Sequence, residues 1–158
     1  MKLVVGLGNP GVGYAKTRHN AGFLVAEKLL EAKLPKSAVV KKSSVFMNDS
    51  GSFVEKLVNQ YKLASTDLYI IHDDLDIPLG LYKIQFGVGP KVHNGITSVE
   101  ENLRTKDFWR VRVGVDNRNP DNREVGEEYV LEDFKEEERK VLGGVIEKIC
   151  KEINHLLG

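Results

Sequence analysis

Leu3-Val4-Val5-Gly6-Leu7-Gly8-Asn9-Pro10-Gly11 is the stretch that decides the fold. Its apolar start, closed by glycine, reads as a buried strand that runs straight into a loop. Phe23 to Leu30 follows with helical apolar spacing. Ala38-Val39-Val40 predicts a second strand. Phe53, Leu57, Val58 and Tyr61 then mark one helix face, with Asp49 or Ser50 as a candidate N-cap. Leu68-Tyr69-Ile70-Ile71 is another buried-strand run. Tyr82, Ile84 and Phe86 alternate with Lys83 and Gln85, the pattern of a half-exposed strand. Ile96, Val99 and Leu103 predict a short helix after Asn94-Gly95. Val111, Val113 and Val115 predict a further strand, and residues 136–157 a long amphipathic helix. Strands interleaved with helices indicate an α/β domain, its helices covering a largely parallel or mixed sheet. Ligand sites in such sheets gather where strands end and loops begin.

The chain has 158 residues, which suits a single domain over 1–158. Hydrophobic residues are 41% and charged residues 29%, a balance that argues against a disordered, collagen-like or membrane protein. The net charge of zero excludes a uniformly basic nucleic-acid binder but leaves room for a local basic face. The charges are segregated along the chain: net +6 over residues 1–42, −4 over 43–82, +3 over 83–112 and −5 over 113–158. An anionic partner therefore stays open. Cys150 is the only cysteine, so no internal disulfide is expected and a reducing compartment is. Its apolar neighbours Leu142, Val145, Ile146, Ile149 and Ile153 favour a buried structural thiol over a nucleophile. No stretch reads as a signal peptide or membrane span, and the expected location is the cytoplasm.

Gly6-Leu7-Gly8-Asn9-Pro10-Gly11 matches G-x-G-x-x-G after a strand, the dinucleotide fingerprint. Pro10 removes a backbone donor and restricts Asn9. The next helix starts only around Ala21 or Gly22, too late to hold pyrophosphate at its N-terminus. No second strand ending in an acid follows at the required spacing. A tight turn that needs glycine, or a turn that projects Asn9 as a hydrogen-bonder, are the other readings.

Four segments carry polar chemistry. Tyr14-Ala15-Lys16-Thr17-Arg18-His19-Asn20-Ala21-Gly22 places His19 at a loop-to-helix junction. Val45-Phe46-Met47-Asn48-Asp49-Ser50-Gly51 places Asn48 just before a helix, where capping is the simple alternative. His72-Asp73-Asp74-Leu75-Asp76-Ile77-Pro78 puts three carboxylates at a strand's end. Their spacing fits no calcium loop; a Mg²⁺ site, a solvated acidic turn, or one carboxylate orienting an imidazole are the readings. Gly87-Val88-Gly89-Pro90-Lys91-Val92-His93-Asn94-Gly95 is a glycine-bearing loop able to act as a lid.

Taken together, these segments resemble the bacterial-type peptidyl-tRNA hydrolase family. The matching strings are Gly-Leu-Gly-Asn-Pro-Gly at 6–11, Tyr14 with Thr17-Arg18-His19-Asn20-Ala21-Gly22, Phe46-Met47-Asn48 with Ser50-Gly51, His72-Asp73 with Leu75-Asp76 and Pro78, and His93-Asn94-Gly95. Each is weak alone; their order is specific and spans nearly the whole chain. The resemblance implies a single three-layer α/β/α domain with a mixed, mostly parallel sheet, acting as a monomer without metal or cofactor. It implies cleavage of the ester between a peptide and the terminal ribose of tRNA, which recycles tRNA from stalled translation. It puts the general base on His19, its orienting carboxylate on Asp73 and the peptide-sensing asparagine on Asn9. The other site asparagines fall on Asn48 and Asn94, and Tyr14 and Phe46 match residues lining the pocket for the tRNA end. The chemistry suits this: a neutral imidazole near pH 7 can take a proton from water, and asparagine amides can donate to an oxyanion.

The chain also departs from that family. Members carry about two hairpin strands between the first helix and Phe-Met-Asn, a length needing more than a bare loop. Residues 31–45 here keep only Ala38-Val39-Val40, so a trimmed sheet edge or a remodelled segment is expected. The proline before Phe-Met-Asn is absent, the glycine before His-Asn-Gly is Val92, which would stiffen the lid-like loop 87–95, and the C-terminal region is short. A family Lys and Arg that clamp a tRNA phosphate fall on Gln85 and Arg112. Lys83, on the same strand face as Gln85, or Lys91 is expected to supply the missing charge; a merely solvated Lys83 is the alternative. A non-catalytic RNA-binding member and a nucleotide-dependent oxidoreductase are the competing functions. The intact His19, Asp73, Asn9, Asn48 and Asn94 argue against the former.

Overall fold

A computed structural model describes all 158 residues. In chain order the elements are β1 (Lys2–Gly6), α1 (Ala21–Glu31), β2 (Ala38–Lys42), α2 (Ser50–Gln60), β3 (Leu68–Pro78), β4 (Tyr82–Phe86), α3 (Asn94–Leu103), β5 (Trp109–Asp116), α4 (Gly126–Val130) and α5 (Glu136–Leu157). The five strands form one sheet in the order β2-β1-β3-β5-β4. The β1–β2, β1–β3 and β3–β5 pairs are parallel, and β4 runs antiparallel to β5. Four parallel strands therefore point their C-terminal ends to one side of the molecule, where ligand sites of open α/β sheets form.

Both faces of the sheet are covered, which is why the strands read as apolar runs. Along β1 the pleat sends Val4 into one core and Leu3 and Val5 into the other. The first core holds α1 and α5, through Val25, Leu29, Leu142, Ile149 and Ile153. The second holds α2 and α3, through Val54, Ile96 and Val99. The architecture is a three-layer α/β/α sandwich with a mixed, mostly parallel sheet, as expected.

Three local differences from the sequence expectations bear on function. First, β3 does not end at Ile71 but continues to Pro78, and Asp73 and Asp74 are 2% and 0% exposed. Asp73 and Asp74 are thus not solvated but held inside by imidazole and guanidinium partners, while Asp76 is exposed. Second, Arg110 and Arg112, alternating with the β5 valines, are buried too. Arg110 reaches Glu100 at 3.0 Å and lies over the Phe108 ring. Third, the short helix α4 lies where the sequence shows no helical period. Asp49 occupies the N-cap of α2 but makes no side-chain cap bond.

No strand lies outside β2, which forms one edge of the sheet. Lys41 and Lys42 are exposed on that edge, a placement that discourages strand-to-strand aggregation. Cys150 is half-buried and burial pushes its thiol up to about 11, in keeping with a structural role. No helix is long and apolar enough to cross a membrane.

Candidate active site

The loops at the C-terminal side of the sheet enclose a cleft of about 680 Å³. Asn9 enters from the loop after β1, and His19 from a one-turn 3₁₀ segment (Arg18–Asn20) that leads into α1. Asp73 comes from β3, and His93 and Asn94 from the head of α3. Phe46 and Asn48 come from the turn before α2. Tyr14 completes one rim, its ring 6.0 Å from that of Phe46 and nearly perpendicular to it. Seven residues singled out in the sequence thus line one cavity.

The glycine loop is built for packing rather than for phosphate. A Cβ at Gly6 would strike the Gly22 carbonyl, and one at Gly8 would meet the Phe23 ring at 2.7 Å. The two glycines let the start of α1 press against the loop. Two of its amides are committed, Leu7 N–H to the Ile71 carbonyl and Asn9 N–H to Asn20 Oδ1, and Pro10 has none. Asn20 Nδ2 returns a bond to the Asn9 carbonyl at 3.0 Å, so one side chain holds the Asn9 peptide unit from both ends. The Asn9 side chain is fixed as well. Its Oδ1 accepts from Met47 N–H at 2.8 Å, which leaves the Nδ2 donor free for a ligand.

Asp73 organises the chemistry. Its Oδ2 lies 2.8 Å from His19 Nδ1 and its Oδ1 lies 2.8 Å from His93 Nε2. Burial would raise its pKa, but the two imidazoles outweigh that and hold the carboxyl far below the usual range. An ionised carboxylate can only accept, so His19 Nδ1 carries a proton and its Nε2 keeps a lone pair. Burial pulls the His19 pKa down, yet the charge and hydrogen bond of Asp73 prevail and raise it above the ordinary 6.5. His19 is a basic imidazole held in one tautomer.

His93 is fixed from the other side. It is the N-cap of α3, and its Nδ1 accepts from Ile96 N–H at 3.1 Å. The ring proton therefore sits on Nε2 and is donated to Asp73. The ligand-capable atoms of His19, Asp73 and His93 lie within 4.8 Å of one another, close enough to suggest a metal. Coordination through His93 Nε2 would force the proton onto Nδ1 and break the helix cap, so the geometry describes a hydrogen-bonded triad. His72 is wholly buried against His93, ring centroids 5.2 Å apart. Burial holds it neutral, with a pKa near 3, and its Nδ1–H donates to the Asp73 carbonyl.

The sequence reading missed the role of His93, the clamp made by Asn20 and the opposite wall of the cleft. That wall comes from Leu75 and from α4 and its flanks, including Val125, Glu127, Val130 and Leu131. Histidine is not among the residues that signal an N-cap, so this role shows only in the fold. The α4 wall is held by Arg18, which is 2% exposed. Its Nη1 donates to the Tyr129 carbonyl, its Nη2 to Glu138 Oε1 at 2.8 Å, and its guanidinium stacks 3.8 Å from the Tyr129 ring.

The three cations assigned to RNA lie outside the cleft lining. Arg112 is buried, with Nε on Asp74 at 2.7 Å and Nη1 on Gln85 Oε1 at 2.8 Å. Lys83 is exposed on β4, directly opposite Arg112 in the β4–β5 pairing. Lys91 is exposed in the 87–95 loop, and its backbone N–H bonds Asp76 at 2.8 Å.

The sequence profile of the peptidyl-tRNA hydrolase family matches residues 3–37 and 31–158, its two pieces overlapping at 31–37. Peptidyl-tRNA hydrolase of Mycolicibacterium gilvum is 43% identical over 165 residues, covering 92% of this chain and 85% of its own. That alignment is longer than this entire chain, so the relative carries residues this one lacks. The Aquifex aeolicus peptidyl-tRNA hydrolase is 38% identical over 96% of this chain and 87% of its own. The crystal structure of the Acinetobacter baumannii enzyme superposes with a TM-score of 0.84, at 29% identity over 99% of this chain and 88% of that one. Sequence and fold agree, and the chain belongs to the peptidyl-tRNA hydrolase family of enzymes.

Proposed function

We propose that this protein hydrolyses the ester between peptide and tRNA, with His19 as general base. The observation that carries the mechanism is the 2.8 Å bond from His19 Nδ1 to a buried, ionised Asp73 at the floor of the cleft. His19 Nε2 takes a proton from water as the water oxygen attacks the ester carbonyl carbon. The tetrahedral intermediate collapses with cleavage of the bond to the ribose oxygen, which takes the proton from His19. A peptide carboxylate and a tRNA with a free terminal hydroxyl leave. General-base help of this kind is worth roughly 10²–10⁴-fold.

Water is the nucleophile because the cleft is lined by no Ser, Thr, Cys or Lys. The Nδ2 of Asn9 suits the first peptide carbonyl beside the ester, and the amides of Asn48 and Asn94 suit the developing oxyanion. Tyr14 and Phe46 offer exposed ring faces to a terminal nucleobase. Lys83, with Arg112 behind it, and Lys91 contact phosphate, so affinity falls with salt at a shallow slope. All site residues come from one chain, so a monomer suffices. A substrate made at the ribosome places the reaction in the cytoplasm, where it recycles tRNA from stalled translation.

The test compares N-acylated aminoacyl-tRNA with free aminoacyl-tRNA in chelator and without nucleotide. The wild type is expected to cleave the acylated form preferentially. Asn9→Ala is expected to lose most of that preference, because an unmatched polar group costs about 1–3 kcal/mol. Equal preference in both proteins would remove Asn9 from this role.

A further inference from the structure

We infer that Glu127, on the α4 wall of the cleft, gives the enzyme a preference for cationic over anionic side chains in the peptide part of its substrate. The inference rests on the hydrolase reading, which supplies a substrate with two chemically different arms meeting at the ester.

Apart from the histidine–aspartate cluster, Glu127 is the one charged residue lining the cleft. It stands in the first turn of α4 and forms no ion pair within the protein. An RNA arm would bring phosphates against that carboxylate, and the guanidiniums packed against α4 are already engaged, Arg18 by Glu138 and Glu132 and Arg118 by Asp116. The opposite rim differs: Tyr14 and Phe46, 36% and 53% exposed, present two ring edges and faces suited to stacking with bases. The RNA arm therefore leaves past Tyr14 and Phe46, and the peptide arm leaves across α4. There Leu75, Val130 and Leu131 accept side chains of any sequence, while Glu127 adds a charge bias. Glu127 is exposed, so water and salt limit that bias to about two- to five-fold.

Two peptidyl-tRNAs that share tRNA and peptide length test this, one with Lys and one with Glu at the residues next to the esterified one. The ratio of their kcat/KM values is compared within each enzyme form. Wild type is expected to favour the Lys peptide about two- to five-fold at low salt and to lose the bias in 0.5 M salt. Glu127→Gln is expected to bring the ratio to one, and Glu127→Lys to reverse it. An unchanged ratio in Glu127→Gln, or no bias in wild type, overturns the proposal while leaving the hydrolase reading standing. Failure of wild type to cleave either substrate removes both.

Discussion

His93 and Asp73 are joined through a nitrogen whose proton is dictated from the far side of the ring. Ile96 N–H points at His93 Nδ1, so Nε2 alone holds the proton and gives it to Asp73 Oδ1 at 2.8 Å. The start of α3 thereby orients the carboxylate that orients His19. His93→Ala is expected to cost about 1 kcal/mol of stability as a lost cap and about ten- to hundred-fold in kcat through a freed Asp73. His93→Gln keeps one acceptor and one donor and should recover part of both. Thermal melts and steady-state kinetics read the two effects separately.

The pH dependence follows from His19. Its pKa is raised, and only the neutral ring accepts a proton, so kcat/KM should climb with pH through a midpoint above 6.5. Stability from the His19–Asp73 pair runs oppositely: it is full below the unfolded value near 6.5 and fades as pH rises through the raised folded value. In Asp73→Asn the remaining influence is burial, so the acid midpoint should move down. The rate should fall by about 10³–10⁴-fold. A midpoint that stays in place would show that Asp73 does not set the basicity of His19.

Lys83 lies opposite Arg112 across β4 and β5, and Gln85 holds the Arg112 guanidinium. Lys83→Ala is expected to weaken binding of full-length peptidyl-tRNA and to lower the salt slope by about one. Cleavage of a short peptidyl-nucleoside ester should barely change. Equal losses on both substrates would remove Lys83 from phosphate contact.

Arg18 is the bolt between the His19 turn and the α4 wall. Arg18→Met leaves Glu138 buried without its guanidinium, and breaking such a pair costs about 3–5 kcal/mol. Calorimetry should show a drop in Tm on the order of 10 °C. An unchanged Tm would mean that the Lys135 backbone N–H and Asn117 suffice to hold Glu138.

Much of this molecule was legible in its sequence because its signals are local. Leu3-Val4-Val5 and Leu68-Tyr69-Ile70-Ile71 announce strands buried on both faces, and the period of 136–157 gives α5 to its ends. His19, Asp73, Asn9, Asn48 and Asn94 stood in recognisable strings and do meet in one cleft. What stayed hidden depends on distant partners. The burial of Asp74 and Arg112 follows from each other across β3 and β5. The five-residue α4 owes its place to Arg18 and Tyr129 rather than to any periodicity of its own. The Asn20 clamp on Asn9 joins two loops that only the fold brings together.

The account stands on His19 as the base, and single-turnover hydrolysis of peptidyl-tRNA at saturating enzyme tests it most directly. With chelator present and no nucleotide, wild type should release peptide at a rate that His19→Ala lowers by at least about 10²-fold, with tRNA binding retained. Equal slow release by both proteins would contradict the mechanism.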